Sequence, residues 1–334
     1  MKYRRFGRSD LQVSALTLGC MAFGNQADEK ESIRIIDRAI DAGINLIDTA
    51  NIYTTGASET IVGKALTQNG KRDNIVLASK FSGPTERDGI NRSMCSRYHI
   101  MQECEASLKR LKTDHLDLYQ IHFLYPETDL YELFGTLDGL VRQGKVRYIG
   151  CSKWAPALIA EAHALCERYG WAKLLSEQPP YNLLDRRIDD ELIWTCKRYG
   201  MAIIPWAPIG AGVLAGKYST VGVFPENSRF SEFNKRLNEA AIERTDKIKP
   251  LAAEKGVSLA EFCLAWVMNQ TGITSPITGP RTVEQLESSL RAADIEFTDE
   301  DFRRVSEIAP PGSYVTDYWE GNVYAKLRES AGIK

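Results

Sequence analysis

Asn45-Leu46-Ile47-Asp48-Thr49-Ala50-Asn51-Ile52-Tyr53, followed by Gly56, Ser58 and Glu59, is the stretch on which the reading of this chain turns. Residues 44–47 form a short apolar run typical of a strand buried on both faces, and the run delivers a carboxylate at its end and a phenol just beyond. An acid at the tip of a buried strand is costly unless something uses it. The pattern then recurs. Asn74-Ile75-Val76-Leu77-Ala78-Ser79-Lys80 ends in a lysine, and Leu116-Asp117-Leu118-Tyr119-Gln120-Ile121-His122 ends in a histidine. Further runs end at Ser152, Gln178 and Trp206.

Between these runs lie helical patterns. Asp28 and the charged residues after it open a helix whose Ile33, Ile36, Ala39 and Ile40 fall at helical spacing before Gly43. Further helices are predicted over about 58–66, 101–111, 130–142, 156–169 and 189–198. Ahead of them, residues 3–6 and 11–13 flank the turn-rich Gly7-Arg8-Ser9-Asp10 and read as a hairpin. Residues 15–19 form the first buried strand, and 273–278 the eighth, after a long insertion. Strict strand–helix alternation with buried strands implies a parallel sheet, and eight such units favour an α/β fold of the closed (β/α)8 TIM-barrel type. A doubly wound sheet is the alternative, but the G-x-G-x-x-G fingerprint after a first strand is absent. No domain boundary stands out, so residues 1–334 read as one barrel domain. The irregular stretches 81–97 and 208–229 become long loops at its C-terminal mouth.

Composition narrows the function. The 334 residues are 43% hydrophobic and 26% charged, as in ordinary globular chains. A net charge of −2 with scattered Lys and Arg argues against nucleic acid and anionic membranes as partners. No apolar run reaches a membrane span and no signal-peptide core opens the chain, so a cytoplasmic protein is expected. Seven isolated cysteines without a C-x-x-C pair suggest reduced thiols, neither a disulfide framework nor a metal site.

On a barrel, the carboxyl ends of all eight strands converge on one rim, so Asp48, Lys80, His122, Ser152, Gln178 and Trp206 ring one pocket. A phenol has a pKa near 10, and a neighbouring ammonium is expected to lower it, making Tyr53 beside Lys80 a proton donor. Asp48 keeps Lys80 charged, and His122 orients a carbonyl oxygen. The set polarises and protonates a carbonyl. It supplies neither a G-x-S-x-G nucleophile nor a metal cage. The carbonyl carbon then needs a hydride, which side chains cannot give, and a nicotinamide cofactor is implied.

These residues carry a resemblance. Leu18-Gly19-Cys20-Met21, residues 43–50 with Tyr53 and Gly56-Ala57-Ser58-Glu59, Ala78-Ser79-Lys80, residues 116–122 and 144–150, Gln178 with Tyr181-Asn182, Pro205-Trp206-Ala207-Pro208, Gly216-Lys217-Tyr218 and residues 279–286 together resemble the aldo-keto reductases over nearly the whole chain. The resemblance implies a tetrad of Asp48, Tyr53, Lys80 and His122, with Tyr53 as general acid and NADPH as hydride donor to a small carbonyl substrate. It implies that Ser152, Lys153 and Gln178 hold the carboxamide, with Met21 and Asp48 nearby, and that Trp206 stacks on the nicotinamide. Ala207, Pro208, Ile209, Gly210 and Gly212, with Lys217, would line the pyrophosphate. Arg229 and Arg281 would face the 2′-phosphate and Gln285 the adenosine, with Gly279 and Ser289 also among the cofactor-binding residues. Arg281 follows the eighth strand, where barrels bind phosphate, and guanidinium suits that geometry, which favours NADP over NAD.

Two departures from the family pattern stand out: Lys153 where relatives carry Asn, and Ser288-Ser289 where Glu and Asn are usual. Phe23, residues 81–98, residues 123–125 and residues 314–319 are expected to shape the substrate pocket, whose aromatics suit apolar or sugar-like carbonyls. The chain also resembles the potassium-channel β subunits, which implies a cofactor-sensing interaction subunit as an alternative. His122 speaks for the enzyme, since those subunits usually have Asn there. A sugar-nucleotide ketoreductase is a further reading. Substrate and oligomeric state are not legible.

Overall fold

The computed structural model describes residues 1–83, 91, 94–218, 221 and 236–319. Its chain begins with strands β1 (Tyr3–Arg5) and β2 (Gln12–Ser14), an antiparallel pair joined through Gly7, where φ is +58° and a Cβ would lie 2.6 Å from the Gly200 oxygen, so that glycine is favoured. Eight parallel strands follow. They are β3 (Thr17–Gly19), β4 (Leu46–Asp48), β5 (Val76–Phe81), β6 (Leu116–Ile121), β7 (Val146–Cys151), β8 (Leu174–Glu177), β9 (Ala202–Ile203) and β10 (Ile277–Thr278). Each pairs with its successor from β3 to β9, and β10 pairs back on β3. The seam between β9 and β10 is crossed by the Thr274 N–H on the Ile203 oxygen at 2.9 Å and the Ile277 N–H on the Pro205 oxygen at 2.8 Å. The result is a closed (β/α)8 barrel with a small N-terminal hairpin.

The helices are α1 (Glu29–Asp41), α2 (Ala57–Asn69), α3 (Arg97–Leu111), α4 (Leu130–Arg142), α5 (Pro156–Tyr169), α6 (Leu192–Tyr199), α7 (Glu239–Glu254), α8 (Leu259–Asn269), α9 (Val283–Ala292) and α10 (Asp299–Ile308). Local chemistry sets their ends. Asp28 caps α1 by accepting the Glu31 N–H at 2.8 Å, and Ser258 with Glu261 forms a capping box on α8. Helices α4 and α5 fall where periodicity puts them. Helix α3 starts earlier than expected because Ser96 caps it, and α6 starts later because residues 187–189 wind as a 3-10 turn. The last two barrel strands are also shorter than predicted. Pro205 and Pro276 have no N–H to give, so neither ladder extends through them.

The barrel interior changes character along its axis. Phe6 and Val13 of the hairpin pack with Leu46, Val76, Ala78, Leu118, Leu175, Ala202 and Ile204, closing the N-terminal end with apolar side chains. Two residues further along three of these strands come Asp48, Lys80 and Gln120, all buried. Since alternate residues share a face, the apolar floor and the polar mouth belong to the same inward rows. The outward rows, with Ile47, Leu77, Tyr119 and Ile149, pack beneath the helices. All seven cysteines are buried free thiols. No described helix is long and apolar enough to cross a membrane.

Helices α2 and α3 cross closely at Gly63, where a Cβ would lie 2.6 Å from the Arg110 oxygen and 2.7 Å from the Leu111 Cα. Alanine ordinarily favours a helix interior over glycine by about 1 kcal/mol, but overpacking against immovable backbone costs roughly 1–3 kcal/mol. Gly63→Ala should therefore destabilise the protein, by about 1–2 kcal/mol in denaturant unfolding. A variant as stable as the parent would show that the two helices separate freely.

Candidate active site

Asp48 is the last residue of β4, Lys80 the next-to-last of β5, and His122, Ser152 and Gln178 follow the ends of β6, β7 and β8 directly. Lys80 has no solvent exposure and Asp48 has 2%. The ammonium donates to Asp48 Oδ1 at 2.6 Å, to the Thr49 carbonyl at 2.8 Å and to Tyr53 Oη at 3.2 Å, so each of its three hydrogens has an acceptor. Tyr53 stands in a 3-10 turn, residues Tyr53–Gly56, that leads into α2. Thr54 and Thr55 in that turn take φ of 48° and 54°, a left-handed geometry that branched side chains rarely adopt. The Thr54 hydroxyl donates to the Phe23 carbonyl at 3.0 Å and helps hold the turn.

The His122 ring meets the Tyr53 ring edge-on, centroids 5.8 Å apart, and stacks on Phe123 at 4.3 Å. Its buried Nδ1 has no hydrogen-bond partner among the described residues. Burial, then the ammonium groups of Lys80 and Lys153, hold its pKa well below the ordinary imidazole value, so the ring is neutral. Lys80 stays charged: burial works against its ammonium, yet Asp48 and Tyr53 raise its pKa on balance. Tyr53 departs from the expectation of a lowered pKa. The residue is half-buried, but its hydroxyl is surrounded by protein, and that burial raises the phenol pKa by more than the Lys80 ammonium lowers it. The group rests as a neutral phenol beside a cation.

Beyond the tetrad, two residues escaped the sequence reading. Gln120 donates its amide to Asp48 Oδ2 at 3.0 Å, and Gln178 donates to the same oxygen at 3.0 Å and to Gln120 Oε1 at 3.2 Å. Gln120 was concealed inside a strand, though it shares the inward row with His122 two residues on. Glu177 is fully buried, accepting the Cys151 thiol at 2.8 Å on one oxygen and the Trp154 N–H at 3.0 Å on the other. It thereby pins the turn that carries Ser152 and Lys153. Glu59 of the opening stretch lies outside the pocket, receiving Arg110 Nε at 2.6 Å and the Ser79 hydroxyl between α2 and the barrel.

The other rim residues are brought together to different degrees. The Ser152 hydroxyl donates to the Gln178 carbonyl at 2.8 Å, and Lys153 Nζ lies 4.8 Å over the Phe123 ring. Met21, just past β3, is exposed, and Trp206 is half-buried. After Trp206, Ala207, Gly210, Ala211 and Gly212 all have positive φ, while Pro208 and Ile209 between them do not, Ile209 having a φ of −104°. At Gly212 and Gly279 a Cβ would meet no atom within 4 Å, so the backbone there is open to approach. Lys217 is exposed at the end of this loop. The Arg281 N–H donates to Gln285 Oε1 at 2.9 Å, bringing these two together at the start of α9. Ser289 is turned inward, its hydroxyl bonded to Thr278 at 2.7 Å, and Ser288 donates to Glu261 at 3.1 Å. Arg229 lies outside the described residues.

Among the residues expected at the substrate pocket, Phe23 and Phe81 belong to the packed core instead, because both are fully buried against the helices. Part of residues 81–98 lies outside the described residues. Tyr318 is buried as well: its hydroxyl donates to the Gly210 carbonyl at 2.9 Å and its ring meets Trp206 edge-on at 6.1 Å. Arg236 sits over both rings, 5.5 Å from Trp206 and 4.9 Å from Tyr318. The segment near residue 318 therefore backs Trp206 and the loop after it.

A closed parallel barrel whose strand ends gather a phenol, an ammonium, a carboxylate and a neutral imidazole has groups able to transfer a proton to a polarised oxygen. The Aldo/keto reductase family model matches residues 15–310, and the chain belongs to that family, which places it among the oxidoreductases. It is 38% identical over 321 residues to the uncharacterized oxidoreductase YrpG of Bacillus subtilis, covering 93% of this chain and 97% of that one. It is 33% identical over 306 residues to a probable voltage-gated potassium channel subunit beta of Arabidopsis thaliana, covering 88% and 92%. Versiconal hemiacetal acetate reductase of Aspergillus parasiticus is 33% identical over 333 residues, with 92% and 96% covered.

Burial pushes the Glu177 carboxyl from 4.5 up to about 7, against the opposing pull of the Cys151 thiol and the N–H groups it accepts. Between those two values the folded protein keeps a proton that the unfolded chain releases, so this group's contribution to stability is complete below the lower value and is lost as pH rises through the upper one. The loss amounts to about 3 kcal/mol at most. Thermal unfolding at pH 5 and pH 8 should show wild type losing more stability over that interval than Glu177→Gln. Equal losses would exclude Glu177 as the responsible group.

Proposed function

We propose that the protein reduces an aldehyde or ketone to an alcohol, with NADPH as cofactor and Tyr53 as the proton donor. The observation that carries this reading is the chain of contacts from Tyr53 Oη through Lys80 Nζ to Asp48, at 3.2 and 2.6 Å, beside a neutral His122. When bound, the reduced nicotinamide supplies the hydride that no side chain can give. His122 donates an N–H to the substrate oxygen and orients it. As negative charge gathers on that oxygen, the proton leaves Tyr53 Oη for it, and the phenolate left behind lies against the Lys80 ammonium. Asp48 keeps that ammonium in place and charged.

The rim suits such a cofactor in kind. Gln178 and Ser152, with Lys153, would hold the carboxamide, Trp206 would offer a flat indole to the ring, and the backbone of residues 207–212, left-handed at four of its six residues, would with Lys217 face the pyrophosphate. Arg281 takes the 2′-phosphate, and Gln285 stands beside the adenosine. Ser289 contributes by holding the end of β10 to α9, since its hydroxyl is already bonded there. Likeness to the plant channel subunit raises a second reading, a cofactor-holding subunit with little turnover. The neutral imidazole against Tyr53 supports the enzymatic reading.

Tyr53→Phe should cut NADPH-dependent reduction of an activated aldehyde by at least about a hundredfold, with NADPH affinity by fluorescence titration nearly unchanged. Comparable turnover in the variant would remove Tyr53 as the acid. Arg281→Ala should lower the NADPH/NADH affinity ratio about tenfold or more, the scale of a lost charged contact to phosphate. An unaltered ratio would take Arg281 away from the 2′-phosphate.

A further inference from the structure

We infer that Gln120 is a positioning residue that, together with Asp48, fixes which end of the Gln178 amide faces the cofactor. The inference rests on the reading above, in which Gln178 holds the nicotinamide carboxamide. An amide's oxygen and nitrogen are nearly equal in size, so only its partners decide its orientation. Asp48 Oδ2 can only accept, because the carboxylate is ionised against the Lys80 ammonium at 2.6 Å. It takes the amide N–H of Gln120 and of Gln178, each at 3.0 Å. With its nitrogen committed there, Gln120 turns its oxygen toward Gln178 and accepts the second amide hydrogen at 3.2 Å. Turning either amide over would press a carbonyl oxygen against a carboxylate oxygen. Both hydrogens of Gln178 are thus held inward, and the atom it offers a ligand is its oxygen.

The barrel is built to admit this bridge. Gln120 is fully buried and pairs in register with Lys80 on one side and Gly150 on the other. A Cβ on Gly150 would lie 3.2 Å from the Gln120 Cγ and 2.3 Å from the Ser176 hydroxyl, so glycine there leaves space for the glutamine. A buried primary amide is costly unless both ends are satisfied, and the partners of Gln120 are two side chains of the proposed site. The carboxylate beside Lys80 thereby also sets, directly and through Gln120, the face presented to the carboxamide.

Gln120→Met keeps an unbranched chain of the same length and removes both hydrogen bonds. NADPH affinity, read by fluorescence titration, should fall about five- to tenfold, the scale of a net hydrogen bond. Affinity for adenosine 2′,5′-bisphosphate, which has no carboxamide, should stay as in wild type. Deuterium from NADPH labelled on one face of C4 should pass less selectively to product. Gln120→Glu provides the second test, since a protonated carboxyl donates once and accepts once, as the amide does. Its NADPH affinity should match wild type at low pH and fall as the carboxyl ionises against Asp48, a pH dependence that space-filling alone would not produce. Unchanged NADPH affinity and facial selectivity in Gln120→Met, or no added pH dependence in Gln120→Glu, would overturn the inference. Gln178→Ala separates the two levels. Weakened NADPH binding there with no effect at Gln120 defeats only the positioning role, whereas no effect at Gln178 defeats the carboxamide reading and the inference with it.

Discussion

A buried ammonium, Lys80, held 2.6 Å from a buried carboxylate, Asp48, is the constraint on which the rest of the mouth depends. Withdrawing either ion from water costs several kcal/mol, and mutual attraction offsets that only if every remaining donor and acceptor is satisfied. The barrel meets this condition from several strands at once. Thr49 supplies a carbonyl and Tyr53 a hydroxyl to the lysine, while Gln120 and Gln178 each give an N–H to the second carboxylate oxygen. Removing any one partner leaves a buried charge short of a bond, a state far more expensive than the bond itself is worth. The tetrad is therefore held together by the same energetics that would make it reactive.

Such a pair needs rigid support from below, which the inward rows provide. Leu46, Ala78 and Leu118 sit two residues beneath Asp48, Lys80 and Gln120, packed on Phe6 and Val13 of the hairpin. With the N-terminal end closed by apolar side chains, polar groups of the interior face only the opposite mouth. The hairpin closes the end of the barrel opposite the candidate site.

Much of this was legible because strand–helix alternation constrains topology strongly, and because a polar residue ending an apolar run is conspicuous. Asp48, Lys80, His122, Ser152 and Gln178 declare themselves in that way. Gln120 does not, since it lies within its strand and only the barrel register, with Lys80 and Gly150 beside it, gives it meaning. Glu177 was concealed for a related reason: it faces the back of the Ser152 turn, a contact that depends on how two loops meet. Phe23 and Phe81 look like pocket aromatics in sequence and turn out to be core, because aromatic character does not say which side of a strand or turn a ring takes. The early end of β9 and the late start of β10 were readable from Pro205 and Pro276, whose missing N–H groups stop a ladder.

The acidity of Tyr53 is where composition alone gives the wrong sign, and the correction matters for chemistry. A neighbouring ammonium lowers a phenol's pKa, but enclosure in protein raises it, and here enclosure prevails. At rest the four groups are a cation, an anion, a neutral phenol and a neutral imidazole, so together they carry no net charge. In the proposed reaction the proton would leave Tyr53 as the substrate oxygen becomes negative, and Lys80, 3.2 Å away, would then have a phenolate to stabilise that was absent before. Such a contact strengthens along the reaction coordinate, which is the condition for an interaction to accelerate a step and not merely to bind. His122 cannot exchange roles with Tyr53. Burial and the ammonium groups of Lys80 and Lys153 oppose a positive charge on its ring, so in the proposed reaction it would offer an N–H to the carbonyl while the phenol supplies the proton.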